Sequence, residues 1–270
     1  MFLATVVIVA IIMLAAGLYV GKTALGSSGS SGSHYLVVGT NIPFPPFEDY
    51  NYTTGSYFGL DIDFSTMIAS ALGRTLVIDN YADFSVLLTD VGAGVVDMAA
   101  SAITESGSVG ALRNGSMSFS IPYYDANQAI LVQSSSTFTC AASGCTAAQL
   151  ESMNIAVQTG TSSQSWLQEF VIPNETKGGK VTGFTTVDSE VLALTAGAYQ
   201  AVMIDLGPAT SIAAGSAGAL KIAGEVFTNE LYGFAVGHND PEHILPVINT
   251  VITQSMQNGT YEKLIKKWFG

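Results

Sequence analysis

Hydrophobic and polar positions alternate along the chain in a pattern that predicts strands and helices in turn. The run YLVVGT at residues 35–40 is apolar and contains β-branched residues, which is typical of a buried strand. Residues 61–72 have apolar side chains at helical spacing and are followed by Gly73, a residue that commonly ends a helix. The same reasoning predicts strands at 75–80, 96–102, 154–159, 180–186, 201–206, 219–227 and 230–237, an extended segment at 123–132, and helices at 84–91, 146–152, from about 162, 188–196, 207–214, 241–256 and 259–268. This alternation predicts an α/β fold with mostly parallel sheets.

The predicted elements fall into two blocks of similar size. We expect residues 35–128, joined by the returning segment 226–270, to form a first lobe, and residues 129–225 to form a second. Two lobes connected by extended crossings enclose a cleft, and a hinge between them can close it.

The N-terminal segment has a different character. Residues 2–20 contain no charged side chain and would span about 29 Å as a helix, enough to cross a bilayer. We interpret residues 1–20 as a retained transmembrane anchor, with a cleaved signal peptide as the alternative. Residues 21–34, GKTALGSSGSSGSH, then form a flexible Gly/Ser-rich stalk. GSSGSSG is also typical of expression tags, but a tag between a membrane segment and a domain would be unusual.

The charge balance excludes one class of partner. The chain of 270 residues has 9 Lys and Arg against 21 Asp and Glu, a formal net charge of -12. Lys22 is the only charged residue before position 35, so the remainder has 8 positive and 21 negative groups, a net charge of -13. This acidic balance offers no electrostatic surface for nucleic acid. The hydrophobic content of 48% argues against disorder.

Two features favour a location outside the cytoplasm for the main domain. Cys140 and Cys145 are the only cysteines and flank the small, turn-prone segment AASG. We predict a disulfide between them, with two free thiols as the alternative; a metal site is not expected because no third ligand lies nearby. The second feature is a set of candidate N-glycosylation sequons at Asn51, Asn114, Asn174 and Asn258.

Several motifs together carry a family resemblance. The opening VGTNIPFPPFE and the following GLDIDFSTMIASALG resemble the start of the family 3 extracellular solute-binding proteins, the polar amino acid receptors of ABC importers. Further similar segments follow in the same order: VVDMAASAIT, RNGSMSFSIPYY, NIAVQTGTSSQSWL, AVMIDLGPA, ELYGFAVG and NGTYEKLIKKWFG. The resemblance covers about residues 35–270 and implies a two-lobed type II periplasmic binding fold.

The resemblance also implies how the backbone end of an amino acid would be held. Arg113, six residues before Phe119, matches the carboxylate-binding arginine, and a guanidinium holds a carboxylate with two hydrogen bonds. Thr104 would add a hydroxyl to the carboxylate. The Ala102 carbonyl, where the family usually has glycine, would accept from the ammonium group. The segment between Thr104 and Arg113 is about four residues longer than is usual, which leaves the geometry of this loop open.

The second lobe is expected to complete the site. Thr161 and Ser162 follow Gly160 at a strand-to-helix turn, where backbone N–H groups favour an anion; a simple helix cap is the alternative. Asp205 ends an apolar strand and matches the ammonium-binding carboxylate, although it could also cap the following helix.

The resemblance places aromatic and amide residues around the ligand side chain. Phe44 and Phe84 would sandwich it, and Asn41 and Gln158 would contact its end. Asn41 is neutral where relatives often carry an acid, and the matched positions offer no cation beyond Arg113. We therefore expect a neutral, polar amino acid as ligand.

The expected function is binding, without catalysis and without cofactor or metal. A membrane-anchored monomer at the cell surface would capture an amino acid and deliver it to an ABC permease and its ATPase. Three alternatives remain: a ligand-sensing receptor subunit, an enzyme resembling cyclohexadienyl dehydratase, for which Glu48 and Glu105 are candidate acids, and a purely structural surface protein.

Overall fold

The computed structural model of the protein describes residues 34–173 and 178–270. The strands are β1 (Tyr35–Thr40), β2 (Asp49–Asn51), β3 (Ser56–Phe58), β4 (Thr75–Asn80), β5 (Met98–Ala99), β6 (Met117–Phe119), β7 (Tyr124–Gln133), β8 (Asn154–Gln158), β9 (Lys180–Phe184), β10 (Ala201–Asp205), β11 (Leu220–Tyr232) and β12 (Ala235–Gly237). The helices are α1 (Leu60–Ala71), α2 (Phe84–Gly92), α3 (Gly107–Arg113), α4 (Ala147–Leu150), α5 (Ser162–Phe170), α6 (Val187–Thr195), α7 (Leu206–Gly215), α8 (Leu245–Gln257) and α9 (Thr260–Phe269).

Ten of the twelve described strands form two five-stranded sheets, which confirms the predicted two-part α/β architecture, and β2 and β3 form a separate two-stranded sheet. The first sheet has the order β4-β1-β5-β12-β6, and the second has the order β11-β7-β10-β8-β9. Successive side chains in the second sheet alternate between its faces. Ala129 and Leu131 contribute to one hydrophobic cluster, whereas Ile130 and Val132 contribute to another. Helices therefore cover both faces of the sheet.

Both sheets are mixed, so the prediction of mostly parallel sheets was wrong. In the first sheet, β1 is parallel to β4 and β5, but β12 is antiparallel to β5 and β6. In the second, β8 is parallel to β9 and β10, but β7 is antiparallel to β10 and β11. The antiparallel strands lie next to the points where the chain changes sheet, between β6 and β7 and between β11 and β12. Direct crossings of this kind reverse the strand direction.

Two long strands lie beside these crossings. β11 pairs with β7 from Leu220 to Tyr232, with irregular register between Ile222 and Gly224 and between Val226 and Glu230. It replaces most of the two separate strands expected at 219–227 and 230–237, because pairing with β7 continues past the irregularities. The predicted lobe boundaries at 128/129 and 225/226 fall inside β7 and β11 and, as a division into lobes, stay a prediction.

Aromatic side chains hold the crossings together. The Phe47 ring lies 4.9 Å from that of Tyr124 and 5.3 Å from that of Tyr232, both in edge-on geometry. Tyr123 stacks on Phe234 with centroids 4.3 Å apart. The two Phe47 pairs join both crossings to the loop that carries Phe44, so the position of that loop depends on the crossings.

Other predictions fall at the edges of the described structure. The predicted anchor at residues 1–20 and nearly all of the stalk at 21–34 lie outside the described residues. No helix within the described part of the chain is long and apolar enough to cross a membrane. Asn51, Asn114 and Asn258 are exposed, whereas Asn174 lies outside the described residues; glycosylation stays a prediction.

The disulfide between Cys140 and Cys145 is present, which confirms that prediction. The closed loop lies against β11. The Cys140 N–H donates to the Ala223 carbonyl at 2.9 Å and the Cys145 N–H to the Glu225 carbonyl at 2.6 Å. These hydrogen bonds fasten the disulfide-closed loop after β7 to the long strand beside it.

The turn into α1 depends on Gly59. Its φ of 134° lies in a region that side chains disfavour, and a Cβ there would lie 2.0 Å from the Phe47 carbonyl oxygen. Gly73, just after the same helix, also has positive φ at 64°, but a Cβ there would meet nothing within 4 Å. The two glycines thus share a conformational requirement and differ in the space around them.

We expect Gly59→Ala to lower the free energy of unfolding by roughly 3 kcal/mol, because backbone strain and a steric clash add together. Gly73→Ala is the matched control, and strain alone predicts a loss of about 1 kcal/mol. Urea denaturation monitored by circular dichroism measures both values. Equal losses in the two variants would contradict the assignment of a clash at Gly59.

Candidate functional site

The candidate site lies at the carboxyl ends of strands from both sheets. Asn41 follows β1, Ala102 follows β5, Gln158 ends β8 and Asp205 ends β10. Ligand sites of α/β proteins form at this edge because the parallel strands deliver their loops to the same place. The two sheets bring these edges together across one cleft.

A cavity occupies this cleft, with about 310 Å³ of empty space that includes its opening to solvent. All ten predicted ligand-binding residues line it, together with one residue that was not predicted, Ser101. The lining residues are Asn41, Phe44, Phe84, Ser101, Ala102, Thr104, Arg113, Gln158, Thr161, Ser162 and Asp205. The structure therefore brings the predicted residues together, whereas their role in binding stays a prediction.

Arg113 lies at the end of α3 with 8% of its surface exposed. The longer segment after Thr104 forms this helix and delivers the guanidinium to the cavity. Its Nη1 donates to the Thr104 carbonyl at 2.9 Å, and its Nη2 donates across the cleft to the Gly160 carbonyl at 3.0 Å. The guanidinium carbon lies 5.6 Å from the centre of the Phe84 ring. Burial lowers the pKa of Arg113 to about 10, so the group remains charged at neutral pH.

Asp205 is the acidic counterpart of Arg113 in the cavity. It immediately precedes α7, but its side chain makes no capping hydrogen bond. Its Oδ1 instead accepts from Gln128 Nε2 at 2.8 Å and from the Tyr232 hydroxyl. Burial, followed by the charge of Glu230, raises the pKa of Asp205 to about 7. The carboxylate thus belongs to the cleft and not to the helix cap.

Glu230 brings a second buried carboxylate to the same network. Its Oε2 accepts from Thr104 Oγ1 at 2.7 Å, and its Oε1 accepts from Gln128 Nε2 at 3.0 Å. The single hydroxyl hydrogen of Thr104 is therefore engaged by Glu230, and its oxygen remains as an acceptor. This differs from the expectation that Thr104 would donate to a ligand carboxylate.

The start of α5 combines two expected roles. Thr161 caps the helix, since its Oγ1 accepts from the Gln164 N–H at 3.2 Å and donates to the Gln158 carbonyl at 2.7 Å. Ser162, one residue later, lines the cavity, and its Oγ lies 3.3 Å from Thr104 Oγ1. The cap orients the turn, and the N-terminus of the helix faces the side of the cavity that holds Thr104.

An acid pair is buried behind Ser101 and Ala102. Asp61 Oδ2 accepts from the Ala102 N–H at 2.9 Å, and its Oδ1 accepts from the Tyr123 hydroxyl at 2.7 Å. Burial raises the pKa of Asp61 to about 7. Burial and then the charge of Asp61 raise the pKa of Glu48 well above its ordinary value. Ala102 itself has a φ of 46°, a conformation that the glycine usual in the resembling proteins would adopt without strain.

The described residues contain no group of three or more His, Cys, Asp or Glu side chains that could hold a metal ion. The arrangement instead provides a buried cation, a buried anion and aromatic walls in one small cavity, which suits a small molecule carrying both charges.

Comparison with known proteins identifies the family. The sequence profile of the bacterial extracellular solute-binding proteins, family 3, matches residues 36–270. The chain belongs to this family. The L-cystine-binding protein TcyJ of Escherichia coli (strain K12) is 24% identical over 235 residues, which cover 87% of this chain and 82% of that protein.

Solved structures agree with the fold of this family 3 protein. An ancestral arginine-binding protein, solved with arginine and with glutamine, has a TM-score of 0.78 and 28% identity, and the match covers 89% of this chain and 100% of that one. The ancestral amino acid-binding protein AncCDT-1, a precursor of cyclohexadienyl dehydratase, has a TM-score of 0.74 and 28% identity over 88% of this chain and 96% of that one.

Sequence reasoning missed the residues that connect the site of this family 3 protein. Ser101, Gln128, Glu230 and Tyr232 all hydrogen-bond to lining residues or line the cavity themselves. Gln128 and Glu230 lie among other polar residues in β7 and β11, so the sequence pattern does not set them apart. Their mutual contact depends on the register of β7 and β11, which the sequence pattern does not show.

The buried acids predict how the stability of the ligand-free protein depends on pH. The folded chain keeps a proton on Asp205 up to about pH 7, whereas an ordinary aspartate releases it near 3.8. The folded state therefore binds more protons between these values, and stability falls as pH rises through this range. Asp61, Glu48 and Glu190 act in the same direction, because burial raises the pKa of each.

We expect the unfolding midpoint to be higher at pH 5 than at pH 8 by at least about 2 °C, roughly 1 kcal/mol for a domain of this size. Asp205→Asn should reduce this difference, whereas Asp125→Asn, at an exposed position, should leave it unchanged. Differential scanning calorimetry at the two pH values tests this. A midpoint that rises from pH 5 to pH 8 would show that these carboxylates are ionised in the folded protein.

Proposed function

We propose that this family 3 solute-binding protein captures a free α-amino acid in the closed cleft and delivers it to an ABC importer. The observation that carries the proposal is the presence of Arg113 and Asp205 in one buried cavity. An α-amino acid is a zwitterion, and its two charges need partners of opposite sign when they leave water.

The roles of the lining residues follow from the hydrogen-bond donors and acceptors that each residue leaves unused. The ligand carboxylate would take the guanidinium of Arg113, with the N-terminus of α5 at Ser162 adding a favourable dipole. The ammonium group would donate to Asp205, to the Ala102 carbonyl and to the Thr104 hydroxyl oxygen, which keeps its lone pairs because its hydrogen is donated to Glu230. The aromatic rings of Phe44 and Phe84 would flank the ligand side chain.

Contacts across the cleft support a binding cycle of opening and closing. Hydrogen bonds link Arg113 to Gly160, Thr104 to Ser162, and Gln158 to Asn41. Each joins a segment that follows a strand of the first sheet to one that ends or follows a strand of the second. The described conformation is therefore closed. A ligand stabilises this state through contacts that it makes with both sides at once.

We propose further that the binding domain is tethered at the outer face of the membrane. Residues 1–20 would form the anchor, or a signal segment if they are cleaved, and residues 21–34 the stalk; the protein would act as a monomer that docks on a permease with its ATPase. The support is the apolar run at residues 2–20 and membership of a family of extracellular proteins.

The side-chain specificity proposed here is for a neutral, polar amino acid. The cavity lining has Arg113 as its only cation and Asp205 as its only acid among the described residues. Both are engaged by the backbone charges of the ligand, so neither remains for a charged side chain.

A dehydratase activity is the alternative supported by the likeness to AncCDT-1. Such chemistry needs a general acid beside the substrate. Glu48 lies behind Ser101, and Glu105 does not line the cavity. Asp205 would then have to act as the acid, whereas in the proposed binding role it accepts hydrogen bonds from the ligand ammonium group.

Replacing Arg113 tests the proposed function directly. Arg113→Ala should weaken binding of the best amino acid ligand at least 100-fold, because the carboxylate would be buried without a charged partner. Arg74→Ala is the matched control, since Arg74 pairs at 3.7 Å with Glu242 away from the cavity. Titration calorimetry with the twenty common amino acids gives the affinities, and circular dichroism verifies the fold. Near-normal affinity of the Arg113 variant would refute the site.

A further inference from the structure

Three polar side chains at one part of the cavity form a hydrogen-bonded set, which we call the polar cluster: Asn41, Ser101 and Gln158. Gln158 Nε2 donates to Asn41 Oδ1 at 2.8 Å and to the Thr185 carbonyl at 3.1 Å. A primary amide has two hydrogens, so both of those on Gln158 are used. Its Oε1 accepts no hydrogen bond from the described residues and remains available to a ligand.

The orientation of both amides is fixed by the backbone. Asn41 Nδ2 donates to the Tyr81 carbonyl at 2.7 Å, while Gln158 donates to the Thr185 carbonyl. A carbonyl oxygen accepts and never donates, so flipping either amide would set two oxygens against each other. The oxygens of Asn41 and Gln158 therefore keep their positions. Asn41 retains one amide hydrogen, and its Oδ1 retains one lone pair.

Ser101, like Gln158, has no hydrogen left to donate to a ligand. Its hydroxyl donates to Glu48 Oε1 at 2.8 Å and accepts from the Asn41 N–H at 3.1 Å. Glu48 is fully buried and holds this arrangement from behind. Ser101 and Gln158, two of the three members of the polar cluster, thus have no free hydrogen. Oxygen acceptors therefore predominate at this part of the cavity.

We propose that the ligand of this cleft has a side chain ending in an N–H or O–H donor, and that Gln158 Oε1 is the acceptor that selects it. This inference rests on the proposed function, since it concerns the side chain of the bound amino acid. Glutamate or aspartate would place a carboxylate oxygen against Gln158 Oε1, which has no hydrogen bond to offer it. An aliphatic side chain would leave Oε1 of Gln158 buried without a partner, because Gln158 is 4% exposed. Sites that lose a buried hydrogen-bond partner discriminate strongly against the analogue that lacks it.

Titration calorimetry of the full-length protein with the twenty amino acids tests the inference. The tightest ligand should carry a side-chain N–H or O–H. Within the series glutamine, glutamate and methionine, which have side chains of similar length, glutamine should bind at least about tenfold more tightly than the other two.

Gln158→Met removes the proposed acceptor with little change in shape. In this variant the ratio of the glutamine and methionine affinities should fall at least about tenfold relative to the parent protein. A loss of fold or closure alone would weaken both ligands together and would not change the ratio. Gln257→Met, at an exposed position on α8, is the matched control and should leave the ratio unchanged.

The outcomes separate the inference from the function on which it rests. Tightest binding of glutamate, aspartate or an aliphatic amino acid would overturn the inference and leave the proposed function intact. An unchanged ratio in the folded Gln158 variant would also overturn it. Binding of none of the twenty amino acids would overturn the proposed function itself. If the Gln158 variant does not fold, the ranking of ligands by the parent protein still decides the inference.

Discussion

The buried charge of Arg113 is the constraint around which the cleft is built. A guanidinium that leaves water must be compensated, and two carbonyls, an aromatic face and two nearby carboxylates do so here. These partners come from segments connected to both sheets, so the compensation depends on how the two sheets are placed against each other. The requirement to satisfy one cation thereby connects the hinge, the loop of Gly160 and the acid network of Asp205 and Glu230.

The acid network keeps the site ready for an ammonium group. Gln128 bridges Asp205 and Glu230 through a single amide nitrogen, which holds two carboxylates close together in the interior. Burial and then the charge of Glu230 raise the pKa of Asp205, and a cation placed between Asp205 and Thr104 would oppose both effects. Binding of an ammonium group therefore corrects an electrostatic imbalance that the ligand-free protein carries.

The hydrophobic pattern and the motifs predicted a large part of this arrangement. The helix ending at Gly73 and the disulfide follow local rules of helix termination and short loop closure. All ten predicted lining residues meet at one cavity: nine lie at or shortly after a strand end or at a helix start that the pattern identified, whereas Arg113 lies at the end of α3. The mixed sheets, the single long β11 and α3 were not predicted. They depend on where the chain crosses between sheets and on how an extended loop folds back, and neither leaves a local periodic signal.

The sequence by itself determined the class of fold, the family resemblance and the identity of the charged residues in the cleft, since these follow from spacing and residue type along the chain. Only the tertiary structure decided which hydrogens and lone pairs remain for a ligand. Thr104 changed from an expected donor to an acceptor because Glu230, 126 positions away, takes its hydrogen. Gln158 became an acceptor because Asn41 and Thr185 take both of its hydrogens. Hydrogen-bond valence is limited, and its distribution depends on neighbours that only folding brings together.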